Sequence, residues 1–204
     1  MLPACSRSRS TTEVRPGSQG SFTRLAGSLD LADGANLTWS VADGSRGRRW
    51  RAVSVAKGAI THSVLLEVDL AGRPSRLELA TPAGMLTLHP SADQAEIHGN
   101  VVSATGEGVR HLAFAWGPQH ELEVTGRPGP TVVGLHCRRA SVAVGASVEI
   151  DVLAIGPGLD VAVGIRHVER LTERRWRIGT SGVEIEIDAD GLPVGGVRWA
   201  LEAD

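Results

Sequence analysis

The chain has no tyrosine, only two phenylalanines, and 21 cationic side chains of which a single one, Lys57, is lysine. With aromatics so scarce, a core has to be built from Val, Leu, Ile and Ala, with five tryptophans as the large exceptions. The two cysteines, Cys5 and Cys137, are too few for a disulfide scaffold, and Cys5 lies in a stretch with nothing to bury, so a reducing compartment is expected. No window approaches the roughly 20 apolar residues of a membrane span. The LPAC stretch (Leu2 to Cys5) lacks the apolar segment that a leader would need before it. The expectation is a cytoplasmic protein. A net charge of −2 supplies no field that would draw it to nucleic acid or to an anionic membrane. Nor does any stretch carry a sustained 3.6-residue apolar period with caps at both ends, so no helix is expected.

What the chain does have is punctuation: 25 glycines and 10 prolines break it into short β-favouring runs. These recur at intervals of about 8 to 12 residues, the spacing of a sandwich or barrel. In VEIEID, Val183, Ile185 and Ile187 take one face and Glu184, Glu186 and Asp188 the other. In SVLLEVDL the expected buried row is Val64, Leu66, Val68 and Leu70. The sequence therefore predicts an all-β, single-domain β-roll or barrel of about 12–15 short, mostly antiparallel strands. It would occupy residues 21–204, behind a disordered N-terminal arm at 1–20 rich in Ser, Thr, Arg, Pro and Gly.

The tetrapeptide RRWR occurs twice, at Arg48 to Arg51 and Arg174 to Arg177. The first is followed by EVDLAGRP (Glu67 to Pro74) and the second by EIDADGLP (Glu186 to Pro193). On a strand, Trp50 and Trp176 point away from the arginines that flank them, so the cations are divided between faces. A nucleic-acid groove instead needs its cations on one surface. Glu, Asp, Gly and Pro recur in identical register after each tetrapeptide, which fits one strand–hairpin unit copied within the chain. The first copy carries seven more residues before its turn, so its strand pair should be longer or bulged.

The C-terminal half adds a serial pattern. Leu135, Arg138 and Arg139 are followed by Val144-Gly145-Ala146-Ser147, then by Pro157-Gly158-Leu159, and finally by Ile187-Asp188-Ala189-Asp190-Gly191-Leu192. This order resembles the glycolipid-binding family long known as a domain of unknown function, mainly over residues 135–196. The family's Leu-Pro-Ile-Arg-Arg strand stands here with His136 and Cys137 in place of its Pro and Ile. Its Thr-Asn-Thr segment stands as Thr131-Val132-Val133-Gly134. The resemblance implies an internally duplicated β-roll and a lipid-like ligand.

Residues that could carry chemistry are few. Seven histidines lack the H-x-H or other close spacing of a metal site, so neither metal nor cofactor is expected. There is no G-x-S-x-G elbow. His136 and Cys137, as strand neighbours, would face opposite ways and form no dyad. The pairs Glu67/Asp69 and Glu186/Asp188 share a face at about 7 Å, which could suit glycosidic chemistry or simply a solvated face. Better candidates lie in VRHLAFAWGPQHE. Leu112, Phe114 and Trp116 share a face that runs to a Gly-Pro turn with His120 beyond it, and His111 lies in the same strand. Such a row either lines an apolar cavity or is plain core. One of Arg138 and Arg139 should point inward toward an anion, from the protein or from a ligand.

The expected ligand-binding set is therefore Trp116, His120, His111, Phe114, Arg138 and Arg139. The expected function is non-catalytic binding of a lipid or glycolipid-like amphipathic molecule in an apolar interior. A hydrolase using Glu121 or His120, and a partner-binding β module with a filled core, are the alternatives.

Overall fold

The computed structural model describes residues 24–31, 33–179, 182–194 and 197–200. The expected arm at 1–20 lies outside them. The fold is all-β and single-domain, with fourteen strands and one helix among the described residues.

Strands β1 (Arg24–Asp30), β2 (Asn36–Gly44), β3 (Gly47–Ala56), β4 (Ala59–Val68), β5 (Pro74–Thr81), β6 (Gly84–Pro90), β7 (Glu96–Ser103) and β8 (Val109–Ala115) form a continuous antiparallel meander. A second sheet follows, from β9 (Glu121–Val124), β10 (Ser147–Ile155), β11 (Val161–Arg170), β12 (Arg175–Ile178) and β13 (Val183–Glu186). The last strand, β14 (Val197–Ala200), returns to pair with β1 and makes the first sheet nine-stranded.

Period-two alternation builds the main core. Leu37, Trp39, Trp50, Val64, Leu66, Leu77, Leu86 and Ile97 line the inner face of the large sheet, and Leu122, Val124, Leu153 and Ile155 of the small sheet pack against them. Trp39 and Trp50 stack with ring centres 5.3 Å apart, filling the interior with the largest side chains available. A second cluster, around Val132, Leu135, Ile150, Val168 and Trp176, occupies the other face of the small sheet.

Two expectations about buried rows need correcting. Val64, Leu66 and Val68 are buried, but Leu70 is 78% exposed, because β4 ends at Val68 and Leu70 sits in the turn that follows. Val183 opens β13 and is exposed, while Ile187 at the other end of the same row is buried.

The larger correction concerns residues 128–138. Read as a strand, TVVGLHC is helical: α1 spans Pro128–Arg138. It forms the crossover between β9 and β10, which are parallel neighbours and so require such a connection. The helix carries no apolar stripe because it is buried nearly all round. Val133 packs into the main core, while Val132 and Leu135 pack into the second cluster. Its start is marked by proline at the first helical turn, which needs no amide donor.

The first RRWR lies on β3 and the second on β12 except for Arg174, which precedes the strand; Trp50 and Trp176 are both fully buried. Arg49 sits opposite Glu67 and Trp50 opposite Leu66; Arg175 sits opposite Glu186 and Trp176 opposite Ile185. The turns that follow match bond for bond. In the first, the Asp69 amide donates to Arg73 O and the Gly72 amide to Asp69 O, while Asp69 Oδ1 accepts from Ala71 and Arg73. In the second, Asp188 donates to Leu192 O and Gly191 to Asp188 O, while Asp188 Oδ1 accepts from Asp190 and Leu192. Gly72 and Gly191 hold φ of 78° and 74°, which is why glycine stands at both. Val68 pairs with Pro74 and Ile187 with Pro193. The extra length of the first copy appears as two ten-residue strands with bulges near Ser54 and Glu67.

Candidate functional site

α1 runs back along β9, so its last turn lies over the first residue of that strand. Between this end of the helix, the β4–β5 turn, Gln94 and the loop at 116–122 lies a cavity of about 280 Å³. Its apolar wall is Leu66, Trp116, Leu122, Pro130 and Val133; its polar wall is Arg73, Gln94, His120, Glu121, Cys137 and Arg138. A wider and more open groove of about 710 Å³ follows the β2–β3 hairpin. There Arg48 and Arg49 are already paired with Asp43 and Glu67 on the same walls.

Trp116 is held where β8 ends by its amide bond to Ala95 O, 2.9 Å. The Gly-Pro turn beyond it closes through the His120 amide to Gly117 O, 3.0 Å, and brings the imidazole onto the indole with ring centres 5.4 Å apart. Glu121, 6% exposed, is the first residue of β9. Arg138 Nε donates to Glu121 Oε1, and Arg138 Nη2 donates to Gln119 O at 2.7 Å. Glu121 Oε2 is buried without a hydrogen bond, with Arg166 Nη1 3.6 Å away; Arg166 Nε in turn lies 2.9 Å from Glu123 Oε2. The Arg166 contacts are those of an ion pair rather than aligned hydrogen bonds. Gly134 is required where the helix crosses Glu121, since a Cβ there would collide with its carboxylate.

Of the residues expected at a ligand site, Trp116, His120 and Arg138 converge on the cavity. The other three do not. Phe114 shares the inward face of β8 and packs onto the main core. His111 is exposed, with Nδ1 2.6 Å from Asn100 Oδ1. Arg139, placed beside Arg138 by a helix rather than a strand, turns to the carbonyls of Asp188 (2.8 Å), Ala189 (3.2 Å) and Glu173 (3.1 Å) and fixes the second turn. Sequence reasoning missed Arg73 and Cys137. Both were assigned to elements, a hairpin and a strand, with no reason to meet.

Cys137 also lines this cavity, with Sγ 3.4 Å from Gly72 O. Cys137 is exposed as a residue, but partial desolvation of its thiol by the packed atoms around it, reinforced by the Glu121 charge, raises its pKa above the usual value of 9.0, so it stays protonated near neutrality. The carboxylate pairs are structural as well. Asp69 and Asp188 organise the turns, Glu67 pairs with Arg49, and Glu186 pairs with Arg174. Among the described residues no three His, Cys, Asp or Glu side chains converge to hold a metal ion, and no helix is long and apolar enough to cross a membrane. No protein-family model, no curated protein and no solved structure matches the chain.

Proposed function

We propose that the protein binds a small amphipathic molecule, lipid-like in character, in the cavity beneath the end of α1, without chemically changing it. The observation that carries this reading is the mixed lining of the cavity. Trp116, Ala71, Pro74 and Pro118 offer apolar surface above the buried Leu66, Leu122 and Val133, and Arg138, Arg73, His120 and Gln94 supply polar groups among them. Its volume, just below the usual range of about 300–1,000 Å³, suits one short chain or ring with a polar end rather than two long acyl chains. Catalysis is disfavoured because Glu121 gives one oxygen to Arg138 and buries the other beside Arg166, while Cys137 is a protonated thiol.

The same reading takes the twin strand–turn units as copies of one ancestral unit. Their common register supports this, as does the shared aspartate whose Oδ1 accepts the same two amides in each turn. The free Cys137 thiol fits a reducing, cytoplasmic setting.

Native mass spectrometry of the purified protein, with organic extraction of any adduct, tests the function together with thermal-shift measurements against a panel of single-chain amphiphiles. Binding that raises the Tm, and that is weakened by Trp116→Ala, is expected. Absence of any adduct and of any shift across the panel would sink the proposal.

A further inference from the structure

The two turns that share every backbone bond differ in their side chains, and the differences sort by what each turn faces. The second turn is buried in its C-terminal half: Ala189 and Asp190 are exposed, but Gly191, Leu192 and Pro193 are covered, Leu192 joins the main core, and Arg48 Nη1 donates to Asp190 O at 2.6 Å. The first turn faces the cavity through Ala71, Gly72, Arg73 and Pro74. Where the buried turn has Leu192, the cavity turn has Arg73. The backbone amide at this position makes the same bond to the turn aspartate in both, 2.9 Å and 2.8 Å, so the fold of the turn does not call for an arginine. The Arg73–Asp69 ion pair is half exposed and so contributes about 0–1 kcal/mol at most.

Arg73 uses Nε and Nη2 on Asp69, and Arg138 uses Nε on Glu121 and Nη2 on Gln119 O. Each therefore retains Nη1 with no protein acceptor among the described residues, and both residues line one cavity. The acceptor in the same lining, Glu121, gives Oε1 to Arg138, and its other oxygen, which accepts no hydrogen bond, lies 3.6 Å from the Arg166 charge. Three cations (Arg73, Arg138, Arg166) face three anions (Asp69, Glu121, Glu123), so no local excess of charge acts. What Arg73 and Arg138 present to the cavity is two unfilled donors.

From this we infer that the ligand carries a singly charged acidic group, such as a carboxylate, clamped between Arg73 and Arg138, with its apolar part against Trp116, Pro74 and Pro118. This rests on the binding function proposed above and adds the charge of the ligand and a second recognition residue. Charge-assisted hydrogen bonds from two guanidinium groups are the strongest contacts the cavity can make.

Isothermal titration of the full chain with octanoate and with 1-octanol separates the two claims. Octanoate is expected to bind at least tenfold tighter than octanol. Arg73→Gln should remove most of that difference by weakening octanoate far more than octanol, with the Tm lowered by no more than loss of one exposed ion pair allows. Because Arg138→Gln would strand Glu121, the Arg138→Gln/Glu121→Gln double variant is the second test, with the same expected loss of octanoate preference. Equal binding of the two probes, or a preference unaffected by Arg73→Gln, overturns the anionic clamp and leaves the cavity function standing. Failure of both probes to bind overturns the cavity function and the clamp with it.

Discussion

His136 and Cys137, neighbours on the last turn of α1, each close on the glycine of a different turn: Cys137 meets Gly72 and His136 meets Gly191. The helix end is thus clasped between the two matching turns, about 100° of helical rotation separating the two contacts. Both glycines have positive φ, and a Cβ at either would collide with the facing side chain. Gly191→Ala and Gly72→Ala are each expected to lose about 2–4 kcal/mol, adding left-handed strain to overpacking. Urea denaturation measures this. Only part of the steric cost should be recovered by His136→Ala in the first background, since the His136 Cβ would itself lie 2.8 Å from the added methyl, and more of it by Cys137→Ala in the second, where that distance is 3.1 Å; the φ penalty should remain in both. Full recovery in either pair would mean that the contact alone demands glycine.

The Glu121–Arg138 pair is a second point of attachment. Glu121 is buried, and among the described residues only Arg138 gives it a hydrogen bond through a side chain. Arg138→Ala should therefore cost about 1.5–3 kcal/mol, the loss of a hydrogen bond between charged groups, because the Arg166 guanidinium 3.6 Å away still compensates the carboxylate. Glu121→Gln/Arg138→Met should cost distinctly less than the sum of the single changes, a coupling that a double-mutant cycle reads directly.

How much of this was visible in the residues follows from which physical rules act locally. Period-two alternation is a local property, so the strand content, the inward Trp50 and Trp176, and the row Val64, Leu66 and Val68 could be read directly. The repeated Asp and Gly also identified both turns, since the bonds that make them lie within five residues. Leu70 went astray for the same local reason. Alternation persists in the letters after Val68, but the Asp69 turn has already begun.

The helix was invisible because its signal depends on one face meeting water, and α1 has almost no such face. The PGP at its start was the available clue. The site fared unevenly for a related reason. Trp116 and His120 share one short turn, and their pairing is local. Arg138 was found for its charge, though on the wrong kind of element. Arg73 comes to the cavity only through the crossover that lays α1 beside the β4–β5 turn, a contact between distant segments that no local pattern encodes.

Cys137 offers a chemical readout of the cavity. Its thiol pKa lies above 9.0, raised by burial first and then by Glu121. Alkylation by iodoacetamide should be slow at pH 7.5 compared with a free thiol and should accelerate as pH rises beyond 9, followed by intact mass. Glu121→Gln should shift the acceleration to lower pH. A ligand seated against the helix end should slow the reaction at every pH. Rapid labelling at pH 7.5 would contradict the protonated, partly shielded thiol described here.

The acid side of the stability profile follows from two other histidines. Burial lowers the pKa of His62 from 6.5, helped by the nearby Arg127 charge; burial likewise lowers that of His136, helped by Arg48 and Arg139. In the unfolded chain each would take up its proton near 6.5, while the folded protein resists it. Their contribution to stability is therefore complete above about pH 6.5 and declines as pH falls through the lowered folded values, by at most about 1.4 kcal/mol per pH unit for each group. Urea midpoints taken from pH 8 to pH 5 should be flat at first and then fall. His62→Gln and His136→Gln should each lower stability at pH 8 while flattening the decline below 6.5. His136 lies against Gly191 at the clasp, so its protonation should also loosen the end of α1, seen as faster amide exchange over residues 134–138 at pH 5.5 than the change in intrinsic rate explains. A decline equally steep in the double His→Gln variant would assign acid sensitivity to the carboxylates instead.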